Sequence, residues 1–391
     1  MAVSSLLSRA LLSCFTALFL IVCVLQLKEK SNFRQWLSSP LTWSMWLLFL
    51  IPAVSGIWSD NTANWLRLIL IKLPYLFMPL AFFAMPVLKQ RDWNIFSGLV
   101  VLLLCIACGW SVWQYLQSPA SIQQLYLAAK TLPVWMSDDH LRFSWFLVVV
   151  MMAAIFLFHH VHSKWLQWTA LVAAMFFFLF MHLLAARTGL LLSYLFFAGY
   201  LIWQVRNRFK QYNAILLLLI LSIATLAWAL LPTLQNRFSY FRYTYTQANT
   251  AYVAGSVDGN RLLSLKAGWH ILQHHPFGIG LGDVQPAVNA WYEERYPKML
   301  AEDKLFPSNE WLIHGCVAGW PGIILFSIAI FAPLLSNVVR RNFFLLILIV
   351  FNLLIAFTDS SLEGQFGVFI HTFSLLWWWQ WVQSKKDNFA V

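Results

Sequence analysis

The sequence predicts an all-α fold: a polytopic bundle of about 11–12 membrane-spanning helices with one long hydrophilic loop carrying short helices. Three observations predict it. Hydrophobic residues fill 60% of the 391 positions and charged residues only 10%, against roughly a quarter in a soluble domain. The apolar residues form continuous runs, not the alternation of a β-barrel. A single polar stretch, residues 233–310, divides them. The same composition excludes a cytosolic enzyme, a disordered chain and a disulfide scaffold. The net charge of +11 is scattered in small clusters between apolar runs. Such clusters orient membrane helices and do not point to nucleic acid.

A hydrocarbon core about 30 Å thick takes about 20 helical residues. Spans are expected near 5–27, 41–58, 66–88, 94–116, 142–159, 166–186, 189–205, 213–232, 311–336, 343–358 and 361–383. The first has one Arg, then an apolar run with no small-residue cleavage site, and so reads as a retained helix. Residues 166–205 read as a helical hairpin with its turn at Arg187-Thr188-Gly189. Three regions follow: N-terminal spans over 1–232, the loop 233–310, and C-terminal spans with a short tail over 311–391. Lys28, Lys30, Arg34, Lys89, Arg91, Lys164, Arg206, Arg208, Lys210, Arg340, Arg341, Lys385 and Lys386 fall on alternate connections. By the positive-inside rule these face the cytoplasm, so 117–141, the Arg187 turn and 233–310 face outward. Cys105 and Cys108 form a C-x-x-C inside an apolar run, which suits packing rather than redox or metal chemistry.

The loop opens on Asn236-Arg237-Phe238-Ser239-Tyr240-Phe241-Arg242, a mix that suits a bilayer interface or a sugar platform. Helical spacing follows Asp258-Gly259-Asn260-Arg261. Leu262, Leu265, Trp269 and Leu272 share one face, and Lys266, His270 and His274 another. With Asp258 or Asn260 as cap, Arg261 falls in the first turn, where free N–H groups favour anions. Gly278-Ile279-Gly280-Leu281-Gly282-Asp283 permits a tight turn or a close backbone approach to a ligand. Gly280 and Gly282 are therefore candidate substrate contacts. A solvated helix is expected around Tyr292-Glu293-Glu294-Arg295, and Ser308-Asn309-Glu310 leads into the next span.

Ionisable groups at membrane depth are costly and so mark function by default. Arg67 and Lys72 lie in the outer half of the third span, and Arg187 at an outer turn. Asp359 and Glu363, four apart at the start of the last span, are placed to pair with these cations on one helix face. His314 and His371 within spans read as packing residues. Arginine suits phosphate, because its planar fork donates two parallel hydrogen bonds. The residues thus point to an outer-face site for an anionic lipid or solute, with an enzyme and a transporter both open.

Three motifs resemble the O-antigen ligase family, of the superfamily that includes O-antigen polymerases and protein O-oligosaccharyltransferases. They are Ala186-Arg187-Thr188-Gly189-Leu190; Gly259-Asn260-Arg261-Leu262 with Trp269, Pro276 and the glycine loop; and Ser308-Asn309-Glu310-Trp311-Leu312 with Gly315, Gly319 and Gly322. The resemblance implies a multi-pass enzyme of the bacterial inner membrane with its site facing the periplasm. It implies transfer of a glycan from undecaprenyl pyrophosphate to lipid A–core or another glycan acceptor, without metal or cofactor. Arg187 and Arg261 would grip the pyrophosphate, with Lys72, Arg67, Gly280 and Gly282 as further substrate contacts. Ser308, Asn309, Glu310 and His275 join the two arginines as catalytic candidates. One departure stands out: the family usually has His where this chain has Ser308. A serine hydroxyl is no general base at neutral pH, which leaves Glu310, His274, His275 and His314 as alternatives.

Overall fold

The computed structural model describes residues 8–25, 37–85, 88–127, 132–136, 139–206 and 254–388, with isolated positions at 6, 222, 225, 229, 235 and 252. The segment 236–245, nearly all of the expected span 213–232, and the clusters Lys28/Lys30/Arg34 and Arg208/Lys210 lie outside the described residues. Among those described there are helices and no strands. In chain order the helices are α1 (Arg9–Leu25), α2 (Pro40–Val54), α3 (Thr62–Ala84), α4 (Gln90–Gln117), α5 (Pro119–Leu127), α6 (His140–His160) and α7 (Lys164–Leu184). They continue with α8 (Arg187–Arg206), α9 (Val257–His274), α10 (Val284–Arg295), α11 (Glu310–Phe331), α12 (Asn337–Arg341), α13 (Phe343–Thr358) and α14 (Gln365–Asn388). Among the described residues, six segments are long and apolar enough by length and composition to cross a membrane, the kinked Glu310–Leu335 included, and the chain is a multi-pass membrane protein.

The residues group into two compact units that cut across the linear division at 232 and 310. One holds residues 1–12 and 88–242, the other 13–87 and 243–391. In the first, α6 is the central helix, buried along most of its length and packed on α4, α7 and α8. The hairpin turn lies two residues earlier than expected. Ala185, with φ +52°, ends α7, and Arg187-Thr188-Gly189 opens α8. Gly189 is needed inside that helix, because a Cβ there would lie 2.6 Å from Ser144 on α6.

In the second unit α2 packs on α3 and α11, α3 on α14, and α9 on α11. The expected span 311–336 is not one straight helix. Ala318 and Gly319 leave helical geometry, with φ −136° and +66°. Trp311 Nε1 then donates to Ser327 Oγ at 3.0 Å, and the His314 and Phe326 rings stack 4.2 Å apart. Sixteen residues of straight helix would separate the first pair by about 24 Å. The segment is therefore a helical hairpin, with arms 310–317 and 320–331.

The reversal leaves backbone groups without helical partners, and buried orphans are costly. The glycine loop satisfies them. Ile279 N donates to Cys316 O at 2.8 Å, Gly280 N to Val317 O at 3.0 Å, and Trp320 N to Pro276 O at 2.9 Å. The approach is so close that a side chain on Gly319 would collide with the Pro276 backbone. Gly319→Ala is expected to cost about 2 kcal/mol or more, measured as lost thermal stability in detergent. Gly98→Ala, mid-helix with open space around it, should leave stability unchanged or raise it. Equal melting of the two variants would remove the reversal as a constraint on the fold.

Candidate functional site

Arg261 is set by α9. The cap is Ser256, whose hydroxyl accepts from Gly259 N at 3.3 Å, not Asp258 or Asn260. Arg261 is thus in the second helical turn rather than the first. The buried face differs in part from the expected one: Leu263, Ser264, Ala267, Gly268 and Ile271 are buried together with Leu272 of the expected face, while Trp269 is exposed against Trp320. Small residues win this face because the first arm of the α11 hairpin lies directly on it. Pro307 sits 3.1 Å from where a Gly268 Cβ would be, and Cys316 Sγ donates to Gly268 O at 3.4 Å.

Ser308, Asn309 and Glu310 each tie to a different element. Ser308 N donates to Ser264 Oγ at 3.1 Å, the two hydroxyls lie 3.1 Å apart, and Ser264 donates to Arg261 O at 2.7 Å. Asn309 Oδ1 caps the hairpin's first arm through Leu312 N, while its Nδ2 donates to Phe357 O at the end of α13. Glu310 is fully buried, and its Oε1 accepts from Leu362 N at 2.7 Å.

Asp359 and Glu363 do not share a helix face. Asp359 caps the end of α13, and Glu363 belongs to a 3-10 turn, Ser361–Glu363, that precedes α14. Both pair with cations all the same. Arg261 Nη2 meets Asp359 Oδ1 at 3.2 Å, and Lys72 Nζ meets Glu363 Oε1 at 2.6 Å. The two cations differ in access. The Arg261 side chain is 29% exposed, while that of Lys72 is 2% exposed and also donates to Leu362 O at 3.4 Å. An ion pair sealed like Lys72–Glu363 is costly to half-break. Arg261 keeps donors free to turn outward.

Residues 171–327 match the family model described as O-antigen ligase. Over that stretch the chain resembles the O-antigen ligase family. No protein of curated function matches the chain. The ligase-like stretch contains Arg187, Arg261 and Ser308-Asn309-Glu310, whereas Lys72, Asp359 and Glu363 lie outside it.

Five of the expected site residues, Arg261, Ser308, Asn309, Glu310 and Lys72, gather around the connection 357–363. Within the same unit Arg67, His275, Gly280 and Gly282 do not join them there. Arg67 is exposed on α3 and donates to Asn64 Oδ1 at 3.0 Å. His275 is exposed at the far end of α9, about 21 Å of helix from Arg261. Beside it His270 and His274 stack at 4.1 Å, and burial, with His274 and Arg295 nearby, lowers the His270 pKa. His314 is buried, with Nδ1 on Glu310 O. Arg187 is an exposed residue of the other unit.

Gly280 and Gly282 of the ligase-like stretch are buried. Their amides are used within the protein: Gly280 N on Val317 O, and Gly282 N on Ser59 Oγ at 3.1 Å. Sequence reasoning missed Asp283, which fixes this loop. Its carboxylate accepts from Ser59 Oγ at 2.6 Å, Asp60 N at 2.8 Å and Asn61 N at 3.0 Å. It also missed Ser264, three residues after Arg261, and Ser361, two after Asp359. Asp283→Ala is expected to destabilise the protein by roughly 1.5–3 kcal/mol, the scale for losing charge-assisted hydrogen bonds. A wild-type melting curve for this variant would show that the loop is held otherwise.

Proposed function

We propose that this protein transfers a glycan from undecaprenyl pyrophosphate to lipid A–core or a related glycan acceptor, at the periplasmic face of the bacterial inner membrane. The observation that carries the reading is Arg261, inside the O-antigen ligase resemblance, paired with Asp359 beyond it. It is a partly open guanidinium, held in place by a carboxylate, on the helix beside the Ser308-Asn309-Glu310 motif. Arg261 binds the pyrophosphate through the donors it does not spend on Asp359. Arg187 enters as the second cation on the resemblance alone.

The reaction needs no covalent enzyme intermediate. The acceptor hydroxyl oxygen attacks the anomeric carbon, the bond from that carbon to the pyrophosphate oxygen breaks, and lipid pyrophosphate leaves. The hydroxyl proton departs to solvent or to the leaving group. Negative charge builds on pyrophosphate as it leaves, so fixed cations lower the barrier. The lipid tail stays with the bilayer, in keeping with the apolar faces of the helices. Ser308 is part of the support beneath Arg261, through Ser264, and not a base.

The test is an in vitro transfer assay with purified full-length protein, a glycan on undecaprenyl pyrophosphate, and candidate acceptors. Arg261→Ala and Arg187→Ala are each expected to lower transfer by about ten- to a hundredfold or more, with expression unchanged. Near-normal transfer by both would sink the reading. So would uptake or flipping of the lipid in liposomes with no glycan transferred.

A further inference from the structure

We infer that Lys72 and Glu310 are positioning residues, which act on Arg261 by holding the two peptide groups on either side of Leu362. This rests on the functional reading above only for what Arg261 does. Leu362 is buried in the 3-10 turn between α13 and α14, where neither helix can satisfy its backbone. Two residues from elsewhere in the unit supply the partners. Glu310, first residue of the hairpin, accepts the Leu362 N–H at 2.7 Å, and Lys72 of α3 donates to the Leu362 carbonyl at 3.4 Å. Lys72 also holds the next residue through Glu363 at 2.6 Å. On the other side of Leu362, Ser361 Oγ donates to Asp359 Oδ2 at 2.7 Å, and Asp359 Oδ1 meets Arg261 at 3.2 Å. The contacts run without a gap from α3 and the hairpin, through the turn, to the guanidinium.

The burial makes this more than a structural tie. An acid and an ammonium taken out of water in an apolar bundle are costly to place before pairing. A hydrophobic contact would fix the turn without direction. The Glu310 oxygen on the Leu362 N–H fixes the Ser361–Leu362 peptide plane, and the Lys72 ammonium on the Leu362 C=O fixes the Leu362–Glu363 plane. Holding both planes aims Ser361, and with it Asp359. Lys72 is sealed from any ligand, and Glu310 is fully buried, so both work through the turn.

The experiment uses the full-length protein in detergent, as wild type, Lys72→Met, Glu310→Met and the volume-matched pair Lys72→Met/Glu363→Met. The pair guards against a single variant that fails to fold, since apolar replacement of a whole buried ion pair is often tolerated. Hydrogen–deuterium exchange is read in peptides covering 357–364 and 257–264. Transfer is read as separate KM values for donor and acceptor. The expected result is exchange at least tenfold faster in both peptides. The donor KM should rise about tenfold or more while the acceptor KM holds. Unchanged exchange in either peptide overturns the inference, whatever transfer does. So does faster exchange with wild-type donor KM. If wild-type protein transfers nothing, the glycosyltransferase reading falls, and exchange alone still decides whether Lys72 and Glu310 set the turn.

Discussion

Where α11 reverses at Ala318 and Gly319, the backbone loses helical partners that must be replaced inside an apolar protein. The glycine loop replaces them by pairing Ile279 and Gly280 with Cys316 and Val317. That pairing fixes the end of α9, and Asp283 fixes the same loop to the turn between α2 and α3. With both ends of the reversal held, the first arm of the hairpin runs back along the small-residue face of α9. Glu310 and Ser308 arrive at the level of Arg261 for that reason. A straight helix over the same residues would place Ser327 far from Trp311 and leave the glycine loop nothing to bind.

The charges follow a second constraint. Two ion pairs beside the candidate site have unequal access. Lys72–Glu363 is sealed, while Arg261–Asp359 leaves part of a guanidinium open. A sealed pair fixes structure and an open one can meet a ligand, which separates two cations that look alike in sequence. Both pairs converge on one short connection, 359–363, so the support and the binding group share a backbone.

The Ser308-Asn309-Glu310 motif gains a physical meaning from this. Its three side chains reach α9, the end of α13 and the 361–363 turn. Such a motif is demanded by geometry as much as by chemistry. A serine at its first position is consistent with a role in holding α9, since its hydroxyl and amide both meet Ser264.

Much of this was legible in the chain. The apolar runs predicted the helical class that the described residues show. The partnership of Glu363 with Lys72 was also readable, because unpaired ions at membrane depth are too costly to persist, whereas Asp359 pairs with Arg261, which was not among the cations expected for it. The tertiary structure decided the rest. Hydropathy counts apolar residues without seeing a reversal, so 311–336 read as a span until Gly319 turned it back. Helical periodicity ranked Leu262, Leu265 and Trp269 above Ser264, Ala267 and Gly268, because it weighs transfer energy and not how closely a neighbour approaches. That Arg261 is partnered by Asp359 and that Lys72 is sealed on Glu363 depend on contacts 98 and 291 positions apart in the chain. No local pattern encodes those.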